Sequence, residues 1–249
     1  MPAPINSTTS AARKPGRPRK DESAIPIRRQ LIDKTIELIS SQGATDVSAR
    51  SVCDAANVTF ASVNYNFGSW NGLIAEAGAT VYAEYSERLW MAVGKAPLEP
   101  EARLMAYINA QLEWSVNNSG WAAIFNYPFS ARTATTILQE KFGQAHNARF
   151  QLNHARLTRL TIDVRDGTVT PFDYDEYNYP HDELISDELG LARATLTGWS
   201  TLGLMVWLSR GPTLETQIPD IKSRQDNIIE FALKQIVGAI HLDSPPPTS

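Results

Sequence analysis

The sequence predicts an all-α fold, and three observations support this. Apolar side chains recur every three or four residues over long stretches between residues 27 and 240, and no strand-like alternation competes with this period. Gly and Pro residues interrupt the stretches at the points where helices are expected to end. The chain has 249 residues, of which 43% are hydrophobic, so it can bury a substantial core. We expect a small N-terminal module of three helices joined to a larger helical bundle.

The N-terminal module is expected over residues 26–70, with helices at about 27–42, 48–56 and 59–66. Gly43 is a natural C-terminal stop for the first helix. Ser48 and Thr59 are residue types that cap the starts of the second and third helices. Val63 and Phe67 are four residues apart, so both should point back at the first two helices.

The larger domain is expected over residues 71–241. It begins with a long helix from Trp70 to just before Gly94. Four breaks, at Gly120, Pro128, Pro180 and Gly211, separate the helices that follow. These helices are predicted over residues 101–117, 121–127, 132–164, 182–209 and 220–240.

The last two predicted helices are apolar on more than one face, so each needs more than one neighbour. We interpret their outer faces as the surface of a homodimer, in which two chains form a four-helix bundle. The alternative is a monomeric core packed on both sides. The predicted interface residues are Leu189, Leu196, Trp199, Gly203, Ile229 and Ile236.

Residue composition argues against several classes of protein. Cys53 is the single cysteine and the four histidines have no CxxC partner, so neither a disulfide framework nor a zinc ribbon is supported. The sequence has no GxSxG, no HExxH and no glycine-rich phosphate loop, which argues against an enzyme. We expect no metal and no cofactor. Its longest apolar run is about half a bilayer span, so a cytoplasmic protein that neither crosses a membrane nor is exported is expected.

Charge is unevenly distributed along the chain. The net charge is −4, yet residues 1–69 contain nine Lys or Arg and six Asp or Glu. This asymmetry favours a basic nucleic-acid module joined to an acidic body. Residues 1–25 are predicted to form a disordered basic arm, and residues 242–249 a disordered tail.

The arm contains the segment KPGRPRK, which resembles an AT-hook core. In such a segment proline keeps the chain extended, and guanidinium groups enter a narrow A·T-rich minor groove. Arg17 and Arg19 are the residues predicted to do so. The alternative is a solubilising tail that makes no fixed contact.

The second and third helices, joined by a tight turn at residues 57–59, have the pattern of a helix-turn-helix. The third helix is expected to expose Thr59, Phe60, Ser62, Asn64 and Tyr65. Asn and Ser side chains suit base edges in a major groove, whereas Tyr65 and Asn66 suit phosphates. Arg50 is placed to contact a guanine bidentately. The alternative is a small helical cap with a polar surface.

Over residues 27–74 the sequence resembles the TetR family of bacterial regulators, and SVNYNFGS is close to the NYHFGS form seen in many members. The resemblance implies base-edge positions for Arg50, Phe60, Ala61, Ser62 and Asn64, and backbone positions for Ser48, Tyr65 and Asn66. It also implies a homodimeric regulator, most often a repressor, that binds a palindromic double-stranded operator. This chain has Trp70 and Asn71 where the family commonly has Lys-Glu. A helical adaptor that has lost DNA binding is the alternative.

An aromatic cluster in the larger domain is the candidate wall of a ligand pocket, a cavity that the resemblance also implies. The predicted pocket residues are Trp114, Asn118, Trp121, Phe125 and Phe142, and they suggest an apolar or aromatic small-molecule effector. A filled core is the alternative. The acidic, Tyr-rich tract over residues 165–183 is interpreted as a solvated loop, with a lid or a docking surface for a basic partner as alternatives.

Overall fold

The computed structural model describes residues 26–43, 46–126, 132–171, 188–209 and 220–242. Within these ranges all the regular secondary structure is helical, which confirms the predicted all-α class. The helices are α1 (Ile27–Gln42), α2 (Ala49–Ala55), α3 (Ala61–Phe67), α4 (Trp70–Lys95), α5 (Pro100–Asn117), α6 (Ser119–Asn126), α7 (Arg132–Asp166), α8 (Glu188–Ser209) and α9 (Ile221–Ile240). None of these helices combines the length and the apolar composition that a bilayer crossing requires.

The ends of the first helices follow from local capping. The backbone N–H of Gly43 donates to the carbonyl of Ile39 at 3.1 Å and ends α1. Ser48 and Ser51 form a reciprocal capping box at the start of α2. The predicted cap for α3 is one residue early: Phe60 is the N-cap, and the carbonyl of Thr59 accepts from the N–H of Ser62 in the turn before the helix.

The three short helices share a small core. Leu31, Val52 and Val63, one from each helix, are completely buried, and Phe67 is 3% exposed. The inward positions predicted for Val63 and Phe67 are therefore confirmed. Gly68 follows in the left-handed region, with φ 77°, and lets the chain turn sharply into α4.

Helix α4 connects the small module to the larger bundle. Its start is capped by Ser69, whose side chain accepts from the N–H of Gly72 at 3.0 Å. It packs against α1 and α3 near this end, and against α5 and α7 along its length. Helix α4 is continuous over 26 residues, so the three short helices and the bundle pack on the same helix.

The bundle places α5 and α7 beside α4, with α8 packed on α5 and α7, and α9 packed on α8 and α7. The short helix α6 contacts α1, α5 and α8, so it also connects the bundle to the N-terminal module. At the end of α7 the buried carboxylate of Asp163 accepts hydrogen bonds from Arg159, Thr168 and Thr170. These bonds order the first part of the acidic tract; its residues from 172 onward lie outside the described ranges.

Candidate nucleic-acid interface and interior cavity

One face of α3 is buried and the other is exposed, which gives the helix-turn-helix pattern a defined outer surface. Val63 and Phe67 anchor the helix in the core, whereas Tyr65 is 89% exposed and Phe60 is 55% exposed. The turn before α3 depends on Asn57, which adopts a positive φ of 51°. Asn is one of the few residue types other than Gly that tolerate this conformation.

The predicted DNA-contacting residues of this module lie on α2, on α3 and next to these two helices. Those classed as exposed are Ser48, Arg50, Thr59, Phe60, Ala61, Asn64 and Tyr65, and those half-buried are Ser62 and Asn66. Arg17 and Arg19, predicted for the minor groove, lie outside the described residues.

These side chains differ in whether their polar atoms already have partners. The Ser48 hydroxyl caps α2, and the amide of Asn66 donates to the carbonyl of Ser62 at 2.7 Å. Within the described ranges, the side chains of Asn64 and Tyr65 have no such partner, and Arg50 forms no ion pair. An exposed amide, phenol and guanidinium with unused donors fit the chemistry of base edges and phosphates.

A second candidate site is a cavity of about 300 Å³ in the bundle, partly open to solvent and lined by residues of α4, α5, α6, α7 and α8. Fifteen residues line it: Tyr82, Tyr85, Leu89, Tyr107, Gln111, Trp114, Phe125, Asn153, His154, Leu157, Ala194, Thr195, Gly198, Trp199 and Met205. Six of them are aromatic, which is typical of a pocket for a small organic ligand.

The aromatic side chains contact one another along one wall of the cavity. The rings of Tyr85 and Trp114 lie 4.4 Å apart between centroids, and Trp114 and Phe125 are stacked at 5.9 Å with an interplanar angle of 12°. Tyr82 meets Phe125 edge to face at 5.6 Å. These contacts hold the wall in a fixed shape.

Another part of the lining is held by a buried hydrogen-bond network around Asn153. Its side-chain oxygen accepts from the indole N–H of Trp90 at 2.7 Å and from the hydroxyl of Ser86 at 2.8 Å. Its amide nitrogen donates to the hydroxyl of Tyr82 at 3.3 Å. Asn153 thereby links α7 to α4 and has its polar atoms committed.

Burial keeps the phenols of this region protonated. Desolvation is the main cause that raises the pKa of Tyr82, of Tyr85 and of Tyr107, the last two strongly. Near neutral pH the cavity therefore presents neutral hydroxyl groups.

Not all of the residues predicted for the pocket line it. Trp114 and Phe125 do, whereas Asn118 turns back on its own helix and donates to the carbonyl of Trp114 at 3.0 Å. Trp121 is completely buried in the core, where its indole N–H donates to the carbonyl of Ile36 at 3.2 Å. The side chain of Phe142 lies outside the described part of the structure.

Sequence reasoning missed the cavity residues of α4 and α7. Tyr82 has the helical spacing of a core residue, and Asn153 lies beside buried Ala155 and Leu157 on α7. The one available signal was the amide of Asn153 on an otherwise apolar face, because a buried polar group requires hydrogen-bond partners.

An apolar surface remains exposed on α8 and α9, at the predicted dimer interface. Leu196, Trp199 and Phe231 are 48%, 70% and 65% exposed, and Gly203 is exposed beside them. A groove of about 510 Å³ runs between the two helices. Ile229 is half-buried against the core, and Ile236 is only 6% exposed and lines this groove, so the interface prediction for both residues stays a prediction. The side chain of Leu189 lies outside the described residues.

Comparison with known proteins gives the fold. No protein-family model and no curated protein matches the sequence. A structure from Shewanella sp. PV-4, described as a tetR family transcription regulator, is similar with a TM-score of 0.51 at 14% identity, over 86% of this chain and 98% of that chain. The fatty acid degradation regulator FadR from Bacillus halodurans gives a TM-score of 0.54 at 12% identity, over 89% of this chain and 100% of that chain. A transcriptional regulator from Rhodococcus sp. Rha1 gives 0.52 at 15% identity, over 87% and 99%. The fold implied by the resemblance in residues 27–74 is therefore confirmed as that of TetR-family transcription regulators.

Proposed function

We propose that this protein is a homodimeric transcription regulator, acting as a repressor, which binds a palindromic operator through α3 and is released by a small molecule bound in the interior cavity. The observation that carries the proposal is the division of α3 into a buried face and an exposed face. Val63 and Phe67 fix the helix in the core, while Asn64 and Tyr65 present unused polar atoms to solvent. An α-helix with such a face fits a major groove.

Dimerisation is supported by the exposed apolar surface of α8 and α9. A contiguous apolar patch at Leu196, Trp199 and Phe231 is typical of a protein interface. We infer that a second copy of this chain covers this surface, because a two-fold dimer presents two α3 helices to two half-sites. Half-sites in successive major grooves lie about 34 Å apart.

The contacts of α6 support the idea that a movement caused by ligand binding in the cavity is transmitted to α1. Phe125, near the end of α6, lines the cavity, and the beginning of α6 packs tightly on α1. A Cβ atom on Gly120 would lie 2.0 Å from the carbonyl oxygen of Ile39, so only glycine permits this approach. A ligand that moves Phe125 therefore shifts the helix on which α1 rests.

A second link joins α1 to α4. Arg28 forms an ion pair with the largely buried carboxylate of Glu76, and its guanidinium lies 5.2 Å from the ring centroid of Phe67. Phe67 belongs to α3, so Arg28 links the recognition helix to α4.

The ligand must bind the released state more tightly than the DNA-bound state, since equal affinity would not shift the equilibrium between them.

The experiment that tests this proposal is selection of bound duplexes from random double-stranded DNA by the purified full-length protein, followed by sequencing. An enriched inverted repeat is the expected result. A folded protein that enriches no sequence would contradict the proposal and favour the adaptor function, for which the Trp70-Asn71 pair in place of Lys-Glu is the sequence argument.

A further inference from the structure

The chemistry of the interior cavity defines the kind of molecule that it binds, an inference that rests on the proposed function because it concerns the effector of the same site. Its aromatic wall is formed by Tyr85, Trp114 and Phe125 and held in place by ring contacts: the rings of Trp114 and Phe125 are nearly parallel, and that of Tyr85 is tilted by 48° to Trp114. Flat aromatic ligands gain most from such a wall, because offset stacking adds to the burial of apolar area.

Among the described residues that line this cavity, none of the fifteen is Lys, Arg, Asp or Glu, so these residues carry no formal charge of those types. Its tyrosines stay neutral because burial raises their pKa values, as for Tyr85 and Tyr107. His154 contributes the one imidazole of the lining. A charged ligand would lose its hydration here without gaining an opposite charge from a lysine, arginine or carboxylate.

Most of the polar groups in the lining are already occupied by the protein. Asn153 uses its oxygen for Trp90 and Ser86, and its amide nitrogen for Tyr82. Gln111 differs, because its side-chain oxygen is buried and has no hydrogen-bond partner in the part of the chain that the structure describes. Its amide interacts instead with the hydroxyl of Tyr85, an interaction that lowers the pKa of this phenol by less than burial raises it.

A buried acceptor without a donor costs free energy, and such a group in a native structure calls for an explanation. Tyr107 lies four residues before Gln111 on α5, and Trp114 lies three residues after it, so the three share one face of the helix. All three line the cavity. We propose that the effector is an uncharged aromatic molecule carrying a hydroxyl or N–H donor, which it directs to the side-chain oxygen of Gln111. The protein then recognises its ligand by one hydrogen bond and by stacking.

Three probes that share one ring system separate these features. 2-Naphthol carries a donor, 2-methoxynaphthalene only an acceptor, and 2-naphthoate a negative charge. Their affinities for the full-length protein are measured without DNA, by saturation-transfer NMR titration. We expect 2-naphthol to bind about fivefold more tightly than the methyl ether, and 2-naphthoate to bind more weakly than both.

The Gln111→Leu variant removes the acceptor and keeps the side-chain volume similar. We expect its preference for 2-naphthol over the ether to disappear while the far-ultraviolet circular dichroism spectrum is unchanged. Melting temperature checks that the variant stays folded, because the substitution removes the unpaired oxygen together with the contact between the Gln111 amide and the Tyr85 hydroxyl. Gln151→Leu, at an exposed position of α7, is the matched control and should keep the preference.

Three results would overturn the inference: tighter binding of 2-naphthoate, an unchanged preference in folded Gln111→Leu, or no binding of any probe to the wild-type protein. None of them depends on operator binding, which the DNA selection measures separately. Failure of the ligand inference is thus distinguishable from failure of the proposed regulator.

Discussion

The indole N–H of Trp121 donates to the carbonyl oxygen of Ile36 at 3.2 Å, across 85 positions of sequence. This bond joins α6 of the bundle to α1 of the N-terminal module. Trp121 is completely buried, and its ring lies 6.0 Å from that of Phe125 in the cavity wall. Cavity and N-terminal module are therefore connected by two aromatic residues of one short helix.

Trp121→Phe should remove this hydrogen bond while keeping an aromatic ring in the core. We expect a loss of about 1 kcal/mol in the free energy of unfolding, because a carbonyl acceptor remains and the donor is gone. Urea denaturation measures the loss. Trp207→Phe on α8, whose indole has no hydrogen-bond partner among the described residues, is the control; an equal loss in both variants would contradict a role for the bond.

Gly120→Ala should disturb the contact between α6 and α1 more severely. The added Cβ would lie 2.0 Å from the oxygen of Ile39 and 3.0 Å from the Cα of Gly43, so the two helices must separate. We expect a lower melting temperature and about tenfold weaker operator binding by fluorescence anisotropy.

Gly238→Ala on α9 is the matched control for this substitution, because no atom of the described residues lies within 4 Å of the position that its Cβ would take. Alanine there should stabilise the helix by about 0.5–1 kcal/mol. If Gly120→Ala kept the stability and the DNA affinity of the wild-type protein, the close approach of α6 to α1 would not be required for either property.

Asn153→Leu should be among the most destabilising single substitutions in the bundle. It leaves the indole N–H of Trp90 and the hydroxyl of Ser86 buried without their acceptor. We expect a loss of about 2–4 kcal/mol in the free energy of unfolding by urea denaturation. Asn109→Leu, at an exposed position of α5, should change it little; similar losses in both variants would contradict a structural role for the network.

Leu196→Glu should convert the proposed dimer into a monomer, because it places a carboxylate on the apolar surface of α8 and α9. Light scattering at micromolar concentration measures the molecular mass. Operator affinity should fall by about 100-fold or more, since two linked half-sites bind far more tightly than one. Met91→Glu on α4, where the side chain is 55% exposed, is the control. If Leu196→Glu remained a dimer, the interface would not include this part of α8.

Helix positions could be predicted from the sequence because local signals and tertiary packing agree. The apolar period and Gly43 together define α1, and Ser48 starts α2 by a capping box that needs no distant contact. At α3 the hydroxyl of Thr59 meets the hydroxyl of Ser62 at 3.3 Å, and the helix begins one residue later than the capping preference of Thr59 indicates.

The cavity could be predicted only in part. Trp114 and Trp121 are both aromatic and both buried, yet one lines the cavity and the other packs on α1. Composition cannot distinguish these positions, because the difference depends on which helix lies opposite. Gln111 gave no sequence signal, since an unpartnered acceptor is defined by what surrounds it.

The central claim is that α3 reads the operator, and the most direct measurement is to repeat the DNA selection with Asn64→Ala and Tyr65→Ala beside the wild-type protein. The account predicts that Asn64→Ala enriches the same inverted repeat with relaxed preference at one position of each half-site. Tyr65→Ala should enrich the wild-type repeat with weaker binding to all sequences. Identical sequences and affinities for all three proteins would contradict the assignment of α3 as the reading helix.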